Sequence, residues 1–150
     1  MKHALSDELR ELVARRAEQL CEYCLIAEID CYLGCEVDHI IAEKHNGRTV
    51  EANLALACVY CNRHKGTDVA SVVPGSTLLV RLFNPRSDWW SDHFELVGGR
   101  IEWVSSIGEA TARLLRFNDI RRIREREMLV LHGKFPRPAA KLRMLIRGKP

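Results

Sequence analysis

Two cysteine pairs constrain this chain more than any other feature: Cys21-Glu22-Tyr23-Cys24 and Cys58-Val59-Tyr60-Cys61, both C-x-x-C, with 33 residues between them. Paired knuckles of this kind close a tetrahedral sulfur site, which suits zinc. A redox C-x-x-C would account for one pair and leave the other idle, and neither pair lies in a βαβ pattern. The spacing exceeds that of a simple zinc ribbon, so a folded segment must occupy the loop that the ion closes. Cys31 and Cys35, spaced C-x-x-x-C, are poorer knuckles and read as small structural side chains. The N-terminus runs straight into a charged helical pattern without an apolar signal core, and no stretch is apolar enough to span a membrane. The expectation is a cytoplasmic chain whose reduced thiols are available to metal.

Ser6 is placed to cap a first helix, with Asp7 and Glu8 in its first turn where acids favour the helix dipole. This helix leads into the first knuckle. Residues 36–41 alternate and are rich in branched side chains, which predicts a strand, and residues 54–57 predict a short second one. A helix is expected from Asn62 to about Ser71, with Gly66 inside it. Pro74-Gly75 marks a boundary. Beyond it, residues 78–83 predict a strand, and residues 94–97 and 100–104 a hairpin turned by Gly98-Gly99. Helical faces follow, carried first by Ile107, Ala110, Leu114 and Leu115, then by Ile120, Ile123, Val130 and Leu131. Residues 137–150 are basic and expected to be loosely held.

Charge is unevenly divided. Residues 113–150 hold 12 Lys/Arg against 3 Asp/Glu, a balance of +9, while the rest of the chain stands at −6. A basic end beside a more acidic body fits a polyanionic partner.

The most informative residues lie between the knuckles. The order is Val37-Asp38-His39-Ile40-Ile41, a glycine-containing loop, Glu51-Ala52-Asn53-Leu54, the second knuckle, and Asn62-Arg63-His64-Lys65-Gly66. Taken together and bracketed by two C-x-x-C pairs, residues 18–68 resemble the HNH family of nucleases. The stretch from Phe83-Asn84-Pro85-Arg86 to His93-Phe94 is similar to an extension carried by some bacterial members. The resemblance implies a β-hairpin and a helix that share one metal. It implies that Asp38 and Asn62 bind a catalytic divalent ion, that His39 is the general base, and that Asn53 pins the loop that fixes His39. Asn62 stands where the family has His or Asn. An amide oxygen is a harder ligand than imidazole and favours magnesium or manganese. His64, about 200° further round a helix, is a poor substitute. Lys65 shares the face of Asn62 and is expected to meet a phosphate.

The chemistry is consistent with those residue types. Phosphodiester hydrolysis needs a deprotonated water, neutralised phosphoryl charge and help for the leaving 3′ oxygen. A neutral imidazole accepts a proton near neutral pH, and one divalent ion serves as Lewis acid. Together with the element pattern, the resemblance implies an α+β fold: a ββα-metal core held by a Cys21, Cys24, Cys58 and Cys61 zinc site, with a mixed hairpin and helix extension. Residues 1–73 are expected to form the nuclease core, 74–136 the extension, and 137–150 a basic tail. Double-stranded DNA is the expected partner, contacted by Lys65, Arg143 and Arg147, among others. A zinc-stabilised nucleic-acid-binding module without cleavage is the rival, although such a module has no need of Asp38, His39, Asn53 and Asn62 in these positions.

Overall fold

A computed structural model describes residues 5–146. The first helix, α1 (Asp7–Arg16), begins as expected: Ser6 is extended and its hydroxyl accepts from the Leu9 amide at 3.2 Å. The first knuckle then turns back on itself, with the Cys21 amide donating to Ile26 O at 2.8 Å. Strands β1 (Cys35–His39) and β2 (Leu54–Cys58) pair antiparallel, in a register that sets Cys35 against Cys58, Asp38 against Ala55 and His39 against Leu54. Every residue of β2 is buried, because both of its faces are covered. Leu54 and Leu56 pack on Val13 and Ala17 of and just after α1, while Ala55 and Ala57 join the main core on the other face.

Helix α2 (Val59–Lys65) follows without a loop. It starts three residues earlier than expected because the Cys58 sulfur serves as its N-cap, accepting from the Cys61 amide at 3.4 Å. It ends at Gly66, whose φ of +52° disfavours any side chain. Where the helix was expected to continue, the chain instead turns over residues 66–69 and enters β3 (Ala70–Val72), paired with β4 (Leu79–Arg81). The hairpin of β5 (Phe94–Val97) and β6 (Arg100–Trp103) turns at Gly98-Gly99, and α3 (Ser106–Leu114) and α4 (Ile120–Leu131) complete the expected order.

The end of the chain differs from expectation. Residues 138–145 form a helix, α5 (Pro138–Leu145), rather than a loose tail. Pro138 opens it, Ala140 is fully buried and Met144 packs on the core. Arg137 locks the approach by a two-toothed pair with the buried Asp30 carboxylate, at 2.8 and 3.0 Å. One hydrophobic cluster runs from Leu20 through Phe83, Trp90, Phe94, Leu115 and Phe117 to Ala140. Its aromatic centre is Phe94, whose ring lies 5.5 Å from those of Phe83 and Phe117. Among the described residues, no helix is long and apolar enough to cross a membrane.

Candidate active site and metal centre

The two knuckles meet. The sulfurs of Cys21, Cys24, Cys58 and Cys61 all lie within 4.8 Å of one another, and all four residues are buried. Cys24 Sγ is 3.8 Å from Cys58 Sγ, the edge of a tetrahedron with arms of about 2.3 Å, the zinc–sulfur distance. The donor set therefore fits zinc. Mutual hydrogen bonding from Cys21, Cys58 and Cys61 holds the Cys24 thiol below its usual range, with Arg122 assisting, whereas burial pushes Cys21 up. Cys31 and Cys35 stay outside the cluster, half-buried against the main core.

The sulfur site has a cationic neighbour that sequence reasoning missed. Arg122, on α4, donates from Nη2 to Cys61 Sγ at 3.2 Å and lies 3.7 Å from Cys58 Sγ, while its Nη1 donates to Leu115 O at 2.8 Å. Burial alone would lower its basicity, but the charges of Cys61, Cys24 and Cys58 more than offset that and raise it. Arg122 and Arg126, expected to face a polyanion, are both buried. Arg126 donates to Gly99 O at 2.6 Å and also to Phe117 O, and so ties α4 to the hairpin turn. Arg121 and Arg124 of the same helix remain exposed. No local pattern separates the two sets, since only the packing of α4 tells which arginines turn inward.

On the opposite end of the hairpin, Asp38, His39 and Asn62 line one open cleft of about 650 Å³, together with Glu43 and Lys44. His39 is half-buried, and its Nε2 lies 2.9 Å from Thr49 Oγ1. Asn53 accepts from the Ile41 amide and donates to both Ile41 O and Arg48 O, each at 2.9 Å, so one side chain clamps the two ends of the loop after β1. Gly47 lies in that loop because a Cβ there would sit 1.7 Å from Ile41 O. Asn62 donates through its amide nitrogen to Glu36 at 2.5 Å, so the atom it could offer a cation is its amide oxygen. His64 lines a different cleft, beside Asp119 and Arg121.

Asp38 is nearly inaccessible. Its Oδ2 accepts from the Tyr23 hydroxyl at 2.7 Å, and the Lys65 ammonium lies 3.2 and 3.3 Å from its two oxygens. Burial raises the Asp38 pKa, and Lys65 and Tyr23 only partly oppose it. This corrects the expectation for Lys65. It is 2% exposed and also donates to His39 O at 3.1 Å, so it faces the protein and not a phosphate. The reason is that the helix turn which puts Lys65 beneath Asn62 also aims it at β1. Arg143 likewise turns inward, donating to Arg16 O at 3.2 Å with Glu18 at 3.4 Å and the buried Glu22 at 3.7 Å. Arg147 lies outside the described residues. Among those residues, no second cluster of three or more Cys, His, Asp or Glu ligands accompanies the sulfur site.

Arg86 of the Phe83-Asn84-Pro85-Arg86 stretch reaches Glu22 in the first knuckle, and Trp90 donates to Tyr23 O at 2.8 Å. Both contacts hold the segment that presents Tyr23 to Asp38. Tyr23 and Glu22 lie within the C-x-x-C pair itself, so their position was visible in the sequence, but their partners were not.

Residues 21–68 match the model of the HNH endonuclease family. Their β1, β2 and α2 with the four-cysteine site form an HNH-type core within an α+β fold. The match, which spans about a third of the chain, points to a nuclease or nucleic-acid-related role. No match was found among curated proteins or solved structures.

Proposed function

We propose that this chain is a metal-dependent endonuclease that hydrolyses phosphodiester bonds in DNA, with His39 as general base. The observation that carries this reading is the convergence of Asp38, His39 and Asn62 on one open cleft at the end of the β1–β2 pair. Asp38 and Asn62 would hold a divalent ion, magnesium or manganese by the hardness of their oxygens. When bound, it supplies Lewis-acid charge to the phosphate.

The chain's own residues do the rest. His39 takes a proton from water. The water oxygen bonds to phosphorus as the bond to the 3′ oxygen breaks, and that oxygen leaves with a proton from solvent. Asn53 holds the loop that carries the partners of His39. Lys65 and Tyr23 orient Asp38. Lys44, exposed on the cleft wall, meets the phosphate backbone in place of Lys65. In this reading the chemistry belongs to residues 1–73. Residues 74–136 brace that unit through Arg86 and Arg122, and the zinc site is structural.

The rival, a zinc-stabilised binding module that does not cut, draws on the pairing of Asp38 with Lys65, which already neutralises that carboxylate. Plasmid cleavage with added magnesium or manganese separates the two. The wild-type chain is expected to cut, and His39→Ala to be slower by about 100- to 10,000-fold with DNA affinity retained. Cleavage by His39→Ala within tenfold of wild type, or none by the wild type, ends the proposal.

A further inference from the structure

We infer that Thr49, backed by Glu43, is a positioning residue that holds the His39 ring as its Nε2–H tautomer and leaves Nδ1 as the atom that accepts a proton. The observations are geometric. His39 Nε2 is 2.9 Å from Thr49 Oγ1, Thr49 Oγ1 is 3.2 Å from Glu43 Oε1, and Glu43 Oε1 is 3.7 Å from His39 Nε2. A hydroxyl carries one proton, and an ionised carboxylate only accepts. Thr49 therefore gives its proton to Glu43 and accepts from His39, which requires a hydrogen on Nε2. With the opposite tautomer, the Thr49 hydroxyl would have to turn toward Nε2, and the Glu43 carboxylate would face two atoms without a proton between them. The chain of donors runs in one direction, and it ends on the negative charge that best terminates it.

The backbone holds these groups in place. The Ala42–Gly47 turn closes through Gly47 N to Ala42 O at 3.0 Å and presents Glu43 on a single helical turn. Asn53 grips Arg48 O, the residue before Thr49. The loop clamp and the ring therefore meet at Thr49, which links the Asn53 amide to the His39 ring. What Nδ1 does with the proton rests on the nuclease reading. The tautomer does not.

Nitrogen-15 spectra of the imidazoles, recorded without substrate over a pH series and read at its alkaline plateau, test this directly. The wild-type His39 is expected to show a protonated Nε2 and an unprotonated Nδ1. Thr49→Val should move both signals toward an average of the two tautomers, and Thr49→Ser should keep the wild-type pattern. Glu43→Ala, at a partly exposed side chain, frees the Thr49 hydroxyl to donate and should raise the Nδ1–H form without disturbing the packed loop. In cleavage assays Thr49→Val should lower kcat by about tenfold or more with KM within about threefold, and Thr49→Ser should restore it. An unchanged His39 pattern in both Thr49→Val and Glu43→Ala, or an Nδ1–H wild type, overturns the inference. Tautomer shifts as described in a wild type that does not cut would uphold the positioning role and defeat the nuclease reading alone.

Discussion

Arg122 Nη2 lies 3.2 Å from Cys61 Sγ, so a guanidinium from the fourth helix completes the surroundings of a sulfur cluster formed 61 residues earlier in the chain. A four-thiolate zinc site carries a net negative charge, and burying it without a counter-charge is costly. Arg122 supplies that charge as an oriented hydrogen bond, and through Leu115 O it also ties the site to the end of α3. Such partners of ligand atoms tune metal affinity.

Arg122→Met is therefore expected to weaken zinc binding by about 10- to 100-fold. Arg122→Lys should recover only part of this, since a point charge cannot make both of the arginine's bonds. Competition with a chromogenic chelator measures it. Wild-type affinity in Arg122→Met would show that the contact does not stabilise the bound thiolates.

Lys65 and Asp38 form the second buried charge relationship. Removing the lysine strands a carboxylate that keeps only the Tyr23 hydroxyl. Lys65→Met should destabilise the zinc-loaded chain by about 3–5 kcal/mol, and adding Asp38→Asn should return part of it. Urea unfolding of the single and double variants checks this. A double variant no more stable than Lys65→Met would mean that the loss came from packing of the lysine stem.

Arg143 was expected to bind DNA, but its guanidinium faces Arg16 O, Glu18 and Glu22. Arg143→Ala should leave the salt dependence of DNA binding unchanged, where a lost phosphate contact would flatten the log–log slope by about 0.9. It should lower stability by about 1–2 kcal/mol, through loss of hydrogen bonds from a charged donor. Affinity measured at several salt concentrations distinguishes these roles, and a flattened slope would return Arg143 to the DNA surface.

Local chemistry makes much of this protein legible in its sequence. The knuckles declare a four-sulfur site because C-x-x-C spacing brings two sulfurs together over one turn. The Ser6 cap, the alternation through Val37 and His39, and the Gly98-Gly99 turn declare α1, β1 and the β5–β6 hairpin, since each depends on neighbours within a few residues. The Asp38-His39, Asn53 and Asn62 pattern points to one cleft by resemblance alone. Partnerships at long range are not legible. Lys65 and Arg143 read as exposed cations, and Arg122 cannot be told from Arg121 or Arg124, because a charge in the sequence does not reveal which way its helix turns once packed. Residues 138–145 read as a tail because their charge is evident locally, whereas the burial of Ala140 and the Asp30 partner of Arg137 exist only after folding. The sequence by itself determined which sulfurs gather into one buried cluster and which polar side chains the hairpin carries to its far end. The tertiary structure decided which charges are spent inside the protein, because burial and pairing depend on segments that meet only across the core.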